Sequence, residues 1–390
     1  MVLGGAFSQC PAIQYGIDSG YHVITVDYLP NNPGHKISDE YYNISTTDIE
    51  GVLYLAEKLN IDGISAYASD PAAPTAAFVS EKLNLVGSSY KSVEILSYKQ
   101  LFRAFLQEHG FLSPWYICSD SLEEVIKKYN GSKAIIKPVD SSGSKGIFVI
   151  NNSDELTEYF SVAKSFSRSG RVILEELIER KGPQIHGEGF VQNGELIFAL
   201  LGDQVFSPVN NLVPYSTIVP SKFHEDIMEE AIKSVESIIK EIGFDTGGIN
   251  IEIIRDKSDN IYVLEIGARN GGNFMPQLMK YATGFDLVKA NVDSLFEYNI
   301  NGHKEISPWK YFAQVILHSK ADGIMERINI PSDFKHNILE QVLYYKPGDK
   351  VNKYKNSKDV IGVLIIEIEN NKQLERLHHY LYMNDWISII

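Results

Sequence analysis

Residues 247–255 and 261–269 read as two strands that each set a carboxylate on one face, and a short polar segment joins them. A chain with this pattern is committed to a hairpin there. In the first run Ile249, Ile251 and Ile253 point one way, while Asn250 and Glu252 point the other. In the second, Glu265 is expected to point away from Tyr262, Leu264 and Ile266. A loop of about four residues, Lys257 to Asn260, sets Asp256 opposite Ile261 and Glu252 opposite Glu265. Two carboxylates about 5 Å apart repel one another. A hard divalent cation that takes oxygen ligands, such as Mg²⁺, relieves the conflict; the plainer alternative is two solvated glutamates on an exposed sheet face.

The chain has 390 residues, too many for one ordinary core, which predicts two or three domains. Its net charge of -14 excludes a general nucleic-acid or acidic-membrane surface, because such partners need basic patches. A local basic pocket for a nucleotide remains compatible with it. Only Cys10 and Cys118 are present, which predicts no disulfide framework, two small buried thiols and a reducing cytoplasmic setting. No apolar run approaches the roughly 20 residues of a membrane span, and the N-terminus has no signal-peptide pattern.

The first ninety or so residues read as βαβ units: strands Met1 to Leu3, His22 to Asp27 and Gly63 to Tyr67, with a helix near Thr47, where Thr47 and Glu50 make a capping-box pattern, and another from Pro74. Asp27 follows Gly4-Gly5 at a dinucleotide-like distance, but the G-x-G-x-x-G fingerprint is missing, which disfavours a nicotinamide-dependent oxidoreductase. A helix over Ser97 to His109 follows, and then strands at Lys133 to Lys137, Gly146 to Ile150, Val172 to Leu177 and Gly187 to Leu201, the last turning at Asn193-Gly194. A long amphipathic helix, about His224 to Ile242, precedes the carboxylate hairpin, and the chain from about Ser307 is again strand-rich, with a closing helix near Asn371 to Tyr382.

Lys137 follows Ile135 and Ile136 and precedes Pro138, so a buried ammonium there needs a partner. A nucleotide phosphate would supply one. The small-residue loop behind it, Ser141, Ser142, Gly143, Ser144, Lys145 and Gly146, lets backbone N–H groups approach an anion, although it is no Walker A loop and alone could be a plain hairpin turn. The apolar run Val172 to Ile178, broken by Glu175 and Glu176, can offer backbone groups to the edge of an adenine ring, or simply end a strand.

Taken in order, Lys99, Lys137 with its glycine loop, the Glu175-Glu176-Leu177-Ile178 segment, Glu252, and Glu265 with Arg269 and Gly271-Gly272 resemble the ATP-grasp superfamily over about residues 1–300. The resemblance implies a multidomain α/β and α+β fold: a Rossmann-like domain over 1–90, a two-lobed ATP-grasp region over 91–300 with its smaller lobe near 115–180, and a strand-rich C-terminal domain over 301–390. It implies that Lys99 and Lys137 contact ATP, that the 141–146 loop covers the phosphates, and that Glu176 and Ile178 use backbone groups on adenine with Glu175 near its amine. Glu252 and Glu265 would hold Mg²⁺, with Mn²⁺ an allowed substitute, and Arg269 would stabilise the phosphate during transfer. Two positions depart from the family. Gly267 stands where a metal-binding Asn is common, which leaves Asn270, Asn250 or water as the replacement, and Gln184 stands for a ribose-binding glutamate, with His186 or Glu188 as alternatives.

The implied activity is ATP-dependent ligation of a small carboxylate to an amine through an acylphosphate, with a homodimer allowed. A purine-pathway ligase acting on a phosphoribosyl substrate and a nucleotide-binding protein with weakened catalysis are the alternatives. Substrate contacts are expected from Phe206 to Val219, from Arg269 to Asn273 and from the C-terminal part.

Overall fold

The computed structural model describes residues 1–141, 143–296, 298–302 and 310–390. Strands Val2–Leu3 (β1), Ile24–Val26 (β2) and Glu40–Tyr42 (β3) form a parallel sheet with helices Cys10–Asp18 (α1), Ile49–Leu59 (α2) and Ala73–Leu83 (α3) packed around it. The expected strand Gly63 to Tyr67 is reduced to a single parallel bridge, Val2 to Ser65. Ser65 exchanges backbone bonds with Met1 and Leu3, but Ala68 then takes a left-handed φ of 54° and turns the chain toward Asp70. The cap of α2 is also corrected: Asp48, not Thr47, accepts from the Gly51 amide at 3.1 Å.

Helices Tyr90–Ser97 (α4) and Lys99–Glu108 (α5) lead into a second, antiparallel sheet. It comprises Tyr116–Ser119 (β4), Ala134–Pro138 (β5), Phe148–Ile150 (β6) and Val172–Glu176 (β7) in the order β4-β7-β5-β6. Helices Leu122–Lys128 (α6) and Ser153–Ser165 (α7) cover one face and enclose a small core of its own around Ile136, Phe160 and Leu174.

The largest sheet contains Gln184–Gln192 (β8), Glu195–Phe206 (β9), Pro214–Val219 (β10), Gly247–Arg255 (β11), Ile261–Gly267 (β12) and Tyr311–Leu317 (β13). Ile338–Leu343 (β15) and Gly362–Ile368 (β17) complete it, in the order β12-β11-β8-β9-β10-β13-β17-β15, so strands after residue 310 continue it. Gly323–Ile328 (β14) pairs instead with Lys350–Val351 (β16) and Ile387–Ile389 (β18), beside the helix Asn371–Met383. Asn193 and Gly194 turn β8 into β9 with φ values of 52° and 76°, as a two-residue hairpin requires.

Helix Glu225–Ile242 (α8) buries Ala231, Val235, Ile238, Ile239 and Ile242. That helical spacing aims one apolar stripe at the core behind β11 and β12. Glu225 and Asp226 sit in its first turn and Lys240 in its last, as the helix dipole favours, and Gly243 ends it at φ 69°.

The carboxylate hairpin is where the structure departs most usefully from expectation. The Asp256 amide donates to Asn260 O at 2.9 Å, so the loop is Lys257–Asp259, one residue shorter than expected, with Asp259 left-handed at φ 71°. The Asp256 carboxylate fixes this tighter turn by accepting from the Ser258 and Asn260 amides, both at 2.8 Å. Arg255 therefore pairs with Ile261, and Ile253 with Val263. A bulge then leaves Leu264 without a partner, and from there Glu252 does face Glu265. The bulge also corrects the expected faces: Val263 and Ile266 are buried, while Tyr262, Leu264 and Glu265 are half-exposed. Both cysteines are free and half-buried, not enclosed.

Replacing Ile238, which is 1% exposed, with Ala should cost about 2–5 kcal/mol of stability in urea unfolding, whereas Ser237→Ala on the exposed face should cost almost nothing.

Candidate functional site

The site lies where α5, the four-stranded sheet and the β8, β11 and β12 edge of the large sheet meet. Lys99 opens α5, and its Nζ donates to Ser141 O at 3.0 Å and lies 4.0 Å from Glu265. It thus joins the glycine loop to the carboxylate hairpin. Lys137 projects from β5 and is ion-paired with Glu175 of β7. The buried ammonium that the sequence flagged therefore has its partner within the chain.

Glu175 also receives Arg103 Nε at 3.1 Å. Burial alone would raise the Glu175 carboxyl, but Arg103 and Lys137 outweigh it and hold the pKa at about 2. Burial in turn pushes the Lys137 ammonium down. Both Glu175 oxygens are occupied by cations. In the neighbouring segment the Glu176 amide donates to Trp115 O at 3.0 Å, and Ile178 is buried.

Gly143, Ser144 and Gly146 all take positive φ, at 75°, 56° and 66°, so the loop turns its backbone in a way that bulky residues resist. Asp140 anchors its start by accepting from Ser167 Oγ and from the Arg168 and Ser169 amides. Ser144 Oγ donates to Leu212 O at 2.7 Å, and Ser141 contributes the carbonyl that Lys99 meets. Ser142 lies outside the described residues.

Glu252 and Glu265 face each other across β11 and β12. Burial first, and then the Glu265 charge, push Glu252 up to about 7, against the pull of Lys137, Arg269 and Lys99. Gln184 Nε2 donates to Glu252 at 3.1 Å and to Gln204 at 2.9 Å, so it stands beside this carboxylate.

Arg269 is paired with Asp70, which the turn after Ala68 carries in from the N-terminal unit. Its Nη1 donates to Asn270 O at 3.0 Å, while among the described residues its buried Nε has no hydrogen-bond partner. Gly267 sits against this pair, and a Cβ there would lie 3.4 Å from both Arg269 and Asp70. Asn250 and Asn270, the candidates to replace a metal-binding Asn, are turned toward Glu188 and donate to it at 2.7 and 2.9 Å. Glu188 is fully buried and also accepts from the Gly271 amide, so it clamps the turn that follows Arg269. Burial raises Glu188 to about 7, although those same bonds oppose the shift. His186 bridges Asn250 and Thr217, and burial with nearby Arg269 lowers it to about 4.

Asp70, Arg103 and the clamping role of Glu188 escape a reading of the sequence. Arg103 alone carries a signal: it shares the buried side of α5 with Phe102, Phe105 and Leu106, where an unpaired cation is not tolerated. Asp70 carries none, because nothing local tells an Asp before Pro71 from a turn residue.

The donor set fits Mg²⁺. Among the described residues no cage of three or more His, Cys, Asp or Glu converges, but two facing carboxylates with lysines nearby suit a cation that shares its coordination with substrate phosphates.

Residues 131–277 match the model of the ATP-grasp domain. The chain carries an ATP-grasp domain. It is 32% identical over 170 residues to the formate-dependent phosphoribosylglycinamide formyltransferase of Thioalkalivibrio sulfidiphilus, a match that covers 41% of this chain and 42% of that protein. It is 20% identical to the L-arginine-specific L-amino acid ligase of Bacillus subtilis, over 78% of this chain and 74% of that one. The crystal structure of an L-amino acid ligase from Bacillus licheniformis shares the fold, with a TM-score of 0.82, 19% identity and coverage of 100% of this chain and 97% of the other. Among the described residues no helix is long and apolar enough to cross a membrane.

The raised Glu252 carboxyl makes a pH-dependent signature. As pH rises from its ordinary 4.5 to about 7, the unfolded chain gives up this proton before the folded one does, so metal-free stability falls across that window and stays low above it. Glu252→Gln should shallow this decline, leaving the parallel contribution of Glu188, and should raise the metal-free melting temperature at pH 8. An unchanged melting temperature there would count against a like-charge pair.

Proposed function

We propose that the chain is an ATP-dependent carboxylate–amine ligase acting on small molecules in the cytoplasm. The observation that carries this reading is the pairing of Glu252 with Glu265 in a cleft that also presents Lys99, Lys137 and Arg269. Lys99 and Lys137 meet the anionic triphosphate of ATP, and the backbone of the 141–146 loop closes over it. The carbonyl of Glu176 and the amide of Ile178 face the adenine. Glu175 acts there through Lys137, since its own oxygens are engaged. Gln184 steadies Glu252 from the ribose side.

Glu252 and Glu265 would hold Mg²⁺, which when bound supplies positive charge to the transferring phosphoryl group. A substrate carboxylate oxygen attacks the γ-phosphorus, the bond to the bridging oxygen breaks, and ADP leaves with an acylphosphate formed. Arg269 steadies the equatorial oxygens during this step, its guanidinium aimed by Asp70 and Asn270. The amine nitrogen then attacks the acyl carbon, phosphate departs, and the nitrogen loses its proton. No protein nucleophile is required.

The 32% identity to a protein named for phosphoribosylglycinamide supports a phosphoribosyl substrate as the second reading. Against it, the imidazole of His35 fills the space over Gly5, 2.3 Å from where a Cβ would be, and is fixed by Thr25 at 2.9 Å and by stacking on Tyr41. A phosphate has no open backbone cradle on that face, which favours an amino acid or similar carboxylate.

A panel of amino acids and small carboxylates, assayed in pairs for ADP and phosphate release with hydroxylamine as a trap, tests the proposal. A hydroxamate formed only with ATP and one carboxylate is expected. ATP binding with no substrate-dependent phosphate release would leave a nucleotide-binding module. Lys137→Met should weaken ATP by about 10–100-fold in calorimetry, and the fold should survive at reduced stability because Glu175 loses one cation but keeps Arg103. Arg269→Lys should lower kcat by about 100-fold with little change in ATP affinity, because a point charge cannot grip two oxygens.

A further inference from the structure

Arg103 is fully buried, lies outside the residues that would meet substrate, and spends its guanidinium on two elements at once. Nε and Nη2 reach the two oxygens of Glu175, at 3.1 and 3.5 Å, and Nη1 donates to Leu264 O at 2.8 Å. Leu264 is the bulged residue of β12. Near the loop the two strands run in one register, with Ile253 opposite Val263; beyond Leu264 the register is one residue longer, with Glu252 opposite Glu265. If the loop-side register continued, Glu252 would face Leu264. The Glu265 side chain would then turn to the core face, since a slip of one residue reverses every side chain.

We infer that Arg103 is a positioning residue that pins this bulge, and so sets Glu265 on the cleft face opposite Glu252. A bulge leaves backbone groups outside the ladder, and a buried carbonyl without a donor is costly. Arg103 supplies that donor. The same guanidinium is fixed by Glu175, which also holds Lys137, so the carboxylate pair and the buried lysine share one anchor. This inference rests on the proposed metal role of Glu252 and Glu265.

The test measures Mn²⁺ binding by electron paramagnetic resonance, with the full chain and a non-hydrolysable ATP analogue, alongside amide hydrogen exchange over residues 261–267. Arg103→Lys keeps a cation near Glu175 but cannot span Glu175 and Leu264 O together. It should weaken Mn²⁺ by about tenfold or more, speed exchange at Leu264 and Glu265, and leave affinity for the metal-free analogue within about threefold of wild type. Where the lysine variant does not fold, Arg103→Gln, which retains one donor group, takes its place with the same expectation. Wild-type Mn²⁺ affinity and unchanged exchange in a variant that has merely lost stability would overturn the inference. Glu265→Gln is the control: if it binds Mn²⁺ like wild type, the metal assignment itself fails, and the role of Arg103 toward it falls too. If Glu265→Gln loses the metal and Arg103→Lys does not, only the positioning role is overturned.

Discussion

One buried carboxylate holds the site together. Glu175 lies at the heart of the four-stranded sheet with a lysine from its own sheet on one side and an arginine from α5 on the other. Charges in such a place are tolerated only when each has its partner, and removing one member is far more costly than never having built the set. The arginine continues to β12, so a single chain of contacts runs from the four-stranded sheet through α5 to the large sheet. Three separately packed elements are thereby set at fixed distances around the cleft.

A second buried carboxylate works in the opposite sense. Among the described residues Glu188 has no cation bonded to it and is surrounded by amides, from Asn250, Asn270 and Gly271. Those donors shape the backbone after Arg269. Burial lifts its carboxyl while two cations hold Glu175 low, and this contrast separates a group that organises a turn from one that organises charge.

Much of this was legible in the sequence because it is periodic or local. The alternation in residues 247–255 and the stripe of α8 state their own faces, and Asn193-Gly194 states its turn. The Glu252–Glu265 pairing was reached from a loop taken one residue too long, and a bulge that no local pattern announces restored the same pairing. Bulges are decided by what lies across from the strand, here a helix more than 150 residues earlier in the chain. The Asp70–Arg269 pair and the Lys137 partner escaped for the same reason, since long-range pairings between separate elements leave no periodic trace. The fold of Gly63 to Tyr67 was misjudged because an apolar strand-like run can stop after one bridge when the next residues turn.

The continuity of the large sheet beyond residue 310 has a consequence for how the chain is made. β10 ends at Val219, and its outer neighbour, β13, begins at Tyr311. During synthesis the ribosome releases β10 with one edge complete and the other bare, and that edge stays open while some ninety residues emerge. A bare strand edge is a template for any extended chain nearby. Premature termination ahead of β13 therefore does not yield a smaller working protein; it yields a sheet cut open through its middle, with the apolar residues of β10 facing the cell.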